Sequence, residues 1–182
     1  MGYKAPQHSG DDKETKELTG QIERITYSDA ESGYAVLRIA VKGYPELVTA
    51  VGTIASPAVG EVLSMKGLWT DHPKFGSQFK VVEYRSFAPS SIQGIEKYLG
   101  SGLIKGIGPS IAEKIVSFFG ADSFKILDTQ PEKLLDIEGI GEKKATAIHQ
   151  AWLEQREMRG VMLFLQSYGI GTGYALRVFR HY

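Results

Sequence analysis

Cysteine is absent from all 182 residues. This excludes disulfides, thiolate nucleophiles and cysteine-bearing zinc sites, and it fits a cytoplasmic protein. No apolar run approaches the roughly 18 residues of a membrane span. The opening segment lacks the apolar stretch of a signal peptide, and Pro6 sits where a myristoylation signal wants Ser or Thr. No membrane partner is expected. Neither sign of charge prevails: 21 basic residues face 21 acidic ones, so no global field advertises a polyanion. The four histidines (His8, His72, His149, His181) share no spacing with carboxylates that would build a metal cage. No Ser-His-Asp arrangement emerges. No G-x-x-x-x-G-K-[ST] stretch is present, and "GSGLIKG" and "GIGEKKAT" carry glycine and lysine at the wrong spacing. The expectation is a chain with no catalytic residue, metal, cofactor or small-molecule substrate.

What is present divides in two, with an α+β fold class. Residues 1–17 are polar, and their "DDKE" reads as part of an acidic disordered leader. From 18 to 88 the pattern has the period of strands. In "GYAVLRIAV", Ala35, Leu37, Ile39 and Val41 share one face. "QIERITY", "LVTAVGTI", "EVLSMKGLW" and "QFKVVEYRSF" complete a set of short apolar runs separated by Gly, Pro, Asp and Ser clusters. Strands this short and numerous suit a small closed barrel, OB-like first and SH3-like second. Trp69, Phe75, Phe79 and Tyr84 are candidates for a base-stacking platform. A core position is the commoner role for all of them except Phe75.

Residues 91–182 change to the helical period of three and four. Pro109 suits a first helical turn, Gly120 a C-terminal cap and Pro131 another helix start. The Ser90-Ser91 pair suits an N-cap at the boundary. This half repeats itself. Gly106-Ile107-Gly108, Gly139-Ile140-Gly141 and Gly169-Ile170-Gly171 are each followed by an alanine (Ala112, Ala145, Ala175) and then Ile115, Ile148 or Val178. Paired glycines let the backbone turn sharply at positive φ. The isoleucine can lock the turn inward, and the alanine lets two helices approach. Each turn delivers backbone N–H groups at the positive end of a helix, which favours an anion.

These residues resemble the helix-hairpin-helix motif of DNA-binding proteins. The resemblance implies phosphate contacts that hold DNA without reading its sequence. The candidates are Gly139, Gly141, Lys143 and Lys144 at the second hairpin. The third offers Gly169, Gly171, Thr172 and Arg177, and the first offers Gly106, Gly108, Ser110 and Lys114. The second is the best equipped, because Pro109 removes an amide donor from the first. From Gly139 onward, six basic residues face three acidic ones.

Together with "GLWTDHPKFGSQFKV", "LLDIEGIGEKKATAIHQAW" and "FLQSYGIGTGYALRVFRHY", the chain resembles the N-terminal region of RecD-like (RecD/TraA) DNA helicases, homologues of the exodeoxyribonuclease V alpha chain. The long form, which acts without RecB and RecC partners, is the nearest likeness. The resemblance implies a superfamily 1 motor with ATP and Mg, moving 5′ to 3′ in DNA repair and recombination. That motor is expected beyond residue 182, with this chain as a fragment that handles DNA or docks on the motor. Two other readings stand beside it: a RuvA-like subunit binding Holliday junctions, and a scaffold that binds protein alone.

Overall fold

The structure is a computed structural model describing residues 14–168, with Tyr174, Arg177, Val178 and His181 beyond them. Five strands come first: β1 (Lys16–Ser28), β2 (Tyr34–Val41), β3 (Val48–Thr53), β4 (Val62–His72) and β5 (Gly76–Phe87). They close into a barrel in the order β1-β2-β3-β5-β4, with β4 returning to β1. All pairs are antiparallel except β3 with β5, where Ala50 and Val51 meet Phe79 and Lys80 in parallel. β1 begins ahead of the expected boundary, since Lys16 and Glu17 already pair with Gly67 and Lys66. Register irregularities after Ile22 and Ile25 interrupt its pairing with β2, beyond the stretch from Lys16 to Gln21 that pairs with β4. Such bulges bend a strand and increase its twist.

Alternation along β2 is realised as expected. Ala35, Leu37, Ile39 and Val41 point into the barrel and pack with Ile22, Leu63, Met65 and Phe79. Phe79 is fully buried, Trp69 and Tyr84 are partly buried against the core, and Phe75 is exposed.

The helical part holds α1 (Ile92–Leu99), α2 (Pro109–Phe119), α3 (Ser123–Thr129) and the long α4 (Glu142–Ser167). Ser91 caps α1 by accepting from the Gly94 amide at 3.0 Å. Pro109 opens α2, and Gly120 ends it at φ +56°. Pro131 opens a short 3-10 turn, Pro131–Asp136, where an α-helix start had been expected. A second core gathers Ile95, Leu99, Ile104, Ile107, Ala112, Ile115, Leu127, Leu134, Ile140, Ile148 and Trp152. His149 packs with it, its Nδ1 donating to Leu127 O at 3.1 Å.

The two parts are joined by more than the linker. Ala58, on the barrel loop before β4, belongs to the helical core. Gly60 lies against the α1 backbone at Gly94 and Tyr98, where any β-carbon would collide. Glu61, 1% exposed, forms an ion pair with Arg159 from the middle of α4. The Ser86 hydroxyl donates to Glu61 Oε2 at 3.1 Å. Arg159 also donates to the Tyr98 hydroxyl at 3.1 Å and lies 5.4 Å from that ring's centroid. Burial pushes the Tyr98 hydroxyl up to about 12, against a smaller opposing effect of its hydrogen bond with Gln155. Burial also pulls the Arg159 guanidinium below its ordinary value. Lys97 and Glu23 form a further pair at the rim of this junction.

Candidate nucleic-acid interface

The first two repeats form the same object. In hairpin 1, Ile107 N donates to Ile104 O at 3.1 Å and Ala112 N to Gly108 O at 2.9 Å. In hairpin 2, Ile140 N donates to Ile137 O at 3.1 Å and Ala145 N to Gly141 O at 2.9 Å. Gly106 has φ +92° and Gly139 φ +90°, a left-handed turn that only glycine takes without strain. Ile107 and Ile140 fold inward and are buried, as are Ala112 and Ala145. Closely packed helices leave no room for larger side chains at such positions. The Ala112 methyl lies 3.3 Å from where a β-carbon on Gly100 would stand, which shows how near α1 and α2 approach.

The outer chemistry of the two hairpins differs. α4 starts with Glu142, Lys143 and Lys144, all exposed. As in any first helical turn, their amides have no partner within the helix, and the dipole places partial positive charge there. Glu142 favours the helix start but opposes a phosphate at the same place. Gly141 borders open space, so an approaching group meets no side chain there. At hairpin 1, Pro109 removes one donor from the corresponding turn. Gly108 also borders open space, and Ser110 is exposed.

Lys114 joins a different hairpin from the one its sequence position assigned. It projects from α2 across to hairpin 2, where Nζ donates to Glu138 O at 3.2 Å. It stands 3.2 Å from the position a β-carbon on Gly139 would occupy. Sequence reasoning grouped Lys114 with Ser110 because both lie on α2. The contact between repeats has no local signature. Beside it runs a groove of about 440 Å³ lined by Ser110, Glu113, Ser117, Phe118, Ile137 and Glu138. The structure thus adds Lys114 to the hairpin that carries Gly139, Gly141, Lys143 and Lys144, while Gly106 and Gly108 stand apart on the other hairpin.

Gly169, Gly171 and Thr172 lie outside the described residues. Arg177 is exposed, with its guanidinium 5.9 Å from the centroid of the Tyr174 ring. Among the described residues no group of three His, Asp or Glu side chains is arranged to hold a metal ion. No helix among them is long and apolar enough to cross a membrane.

Comparison with known proteins agrees with both folds. Residues 15–89 match the model of the OB-fold domain of the ATP-dependent DNA helicase YrrC. Residues 99–152 match the SAM-like helix-hairpin-helix tandem. An ATP-dependent RecD2 DNA helicase of Deinococcus radiodurans is 25% identical over 171 residues, covering 91% of this chain and 24% of that protein. The chain therefore spans about a quarter of the length of the curated relative it matches. With a helicase-type OB barrel and a hairpin tandem in this order, and a helicase relative aligned along nearly all of it, the chain is similar to a RecD-like DNA helicase over both of its folded parts.

Proposed function

We propose that this chain is a non-catalytic accessory region of an ATP-dependent, 5′-to-3′ superfamily 1 DNA helicase of repair and recombination, and that hairpin 2 grips DNA phosphates. In this reading the motor, with its ATP and Mg, belongs to the remainder of a longer protein. The barrel and helices then guide DNA to that motor or dock on it. One observation carries the reading: the first turn of α4 bears the exposed Lys143 and Lys144, and Lys114 of α2 reaches the same hairpin at Glu138 O. Free amides, a helix dipole and lysines on the same hairpin are the chemistry of a phosphate site. None of these groups reads a base, so binding is independent of sequence.

The test is duplex binding across a salt series for the wild type and a Lys143→Glu/Lys144→Glu variant. The expected result is weaker binding and a salt slope shallower by roughly one to two, since each lost phosphate contact removes about 0.9. Equal affinity and slope in the two proteins would assign the hairpins to protein contacts alone.

A further inference from the structure

The contact between barrel and helices contains a pair of groups that is unfavourable to bury. Glu61 is 1% exposed, and its carboxylate meets the Arg159 guanidinium. Taking two charges out of water opposes folding, and apolar residues of similar size often stabilise a fold as well or better. Burial already pulls Arg159 below its ordinary value. Stability alone therefore leaves the pair unexplained. The rest of the contact is smooth. Gly60 and Gly94 present bare backbone to each other, and Ala58 adds one methyl to the helical core. Burial of that kind has no preferred direction. Lys97 and Glu23 at the rim are partly exposed, and such pairs hold little. Among the described residues, the apolar side chains that α4 buries in the helical core end at Trp152. Arg159 lies about two turns further along the helix.

Arg159, by contrast, is held from three elements. Its Nη1 donates to the Tyr98 hydroxyl of α1 at 3.1 Å, and its Nη2 donates to the Ser86 hydroxyl of β5 at 3.4 Å. The same Nη2 meets Glu61, on the loop before β4. Ser86 closes the ring by donating to Glu61 Oε2 at 3.1 Å. A planar fork shared among three partners fixes direction as well as distance. The neighbouring cation on this helix, Arg156, is already engaged by Asp128 at 3.0 Å. A rotated or shifted barrel would thus leave Glu61 buried beside no guanidinium, which is strongly unfavourable.

We infer that the Glu61–Arg159 pair is an orientation pin: it selects one arrangement of the barrel on the helical tandem, and contributes no more stability than an apolar pair in its place would. The pin is independent of the hairpin reading and holds whether or not hairpin 2 meets DNA.

The absence of cysteine makes the test direct. Glu83→Cys on the barrel wall and Lys133→Cys on the turn before hairpin 2, both exposed positions, carry spin labels. Pulsed dipolar spectroscopy then gives the distribution of distances between the labels. Three forms of the full chain are compared: the labelled parent, the same chain with Glu61→Leu/Arg159→Met, and the same chain with Arg159→Lys. The parent should give one narrow peak. The apolar pair should keep or raise the thermal midpoint while its distribution broadens or splits. Arg159→Lys keeps the charge but loses the fork, so it should fold and broaden the distribution as well. A parent-like peak in either variant overturns the pin, and so does a broad distribution in the parent. A midpoint for the apolar pair far below the parent's overturns it in favour of an ion pair that serves stability.

Discussion

Hairpins 1 and 2 share backbone hydrogen bonds, a positive-φ glycine, a buried isoleucine and a buried alanine, yet they present opposite chemistry. Each hairpin is touched by the helix of the other repeat. At hairpin 1 the visitor is apolar: the Ile148 side chain reaches within 3.7 Å of a β-carbon position on Gly106. At hairpin 2 it is the Lys114 ammonium. One turn is backed by a core residue and opened by a proline, and the other is backed by a cation and opened by Glu-Lys-Lys. The lesson is that the repeat specifies a scaffold. A few positions outside its consensus decide what each copy does.

The largest test of the shared scaffold is Ile107→Ala against Ile140→Ala. Each removes a buried side chain from an equivalent site, so each should destabilise the fold by about 2–5 kcal/mol in denaturant unfolding. A large inequality would break the structural half of the comparison. Next come Gly106→Ala and Gly139→Ala. Both force a β-carbon into a left-handed turn and should cost at least about 1 kcal/mol. Only Gly139→Ala also crowds Lys114, so only it should weaken duplex binding. The smallest effect is expected from Lys114→Gln. As a single exposed side chain it should change stability by less than about 0.5 kcal/mol. Its salt slope for duplex should nevertheless become shallower by about 0.9. A Lys114→Gln protein with an unaltered slope would return Lys114 to a purely structural contact.

Much of this architecture was legible in the sequence because it is written in local periods. Alternation exposed the strands, and the spacing of Gly106, Gly139 and their alanines exposed the repeat. Ser91, Pro109 and Gly120 marked helix ends through their own chemistry. Pro131 marked an element but not its type, since a proline start serves a 3-10 turn as well as an α-helix. Contacts between distant segments left no such trace. The β3–β5 pairing that closes the barrel, the reach of Lys114 and the partnership of Glu61 with Arg159 each join residues far apart in the chain. Glu61 follows a glycine in "AVGEVL" and reads as an ordinary turn charge. Only the fold reveals that it is buried. The hydrogen bonds that the Lys74 and Phe75 amides donate to His72 Nδ1 were likewise hidden, because they depend on the orientation of the His72 ring.

The Glu61–Arg159 junction bears on whether this molecule can be dissected. A helical piece cut at the linker would lose Ala58 from its core and leave Arg159 without Glu61 and Ser86. It would also expose the α1 backbone that Gly60 now covers. A barrel piece would keep Glu61 at a newly opened surface, facing water in place of a guanidinium. Neither half is a finished surface, although each matches a domain model of its own. Studied separately, the halves would misreport the properties of the pair. α4, of 26 residues, runs for about 39 Å from hairpin 2 past this junction. A tilt imposed at its hairpin end would therefore reach the barrel through the Arg159 contacts with Glu61 and Ser86, as a lever hands motion across its fulcrum.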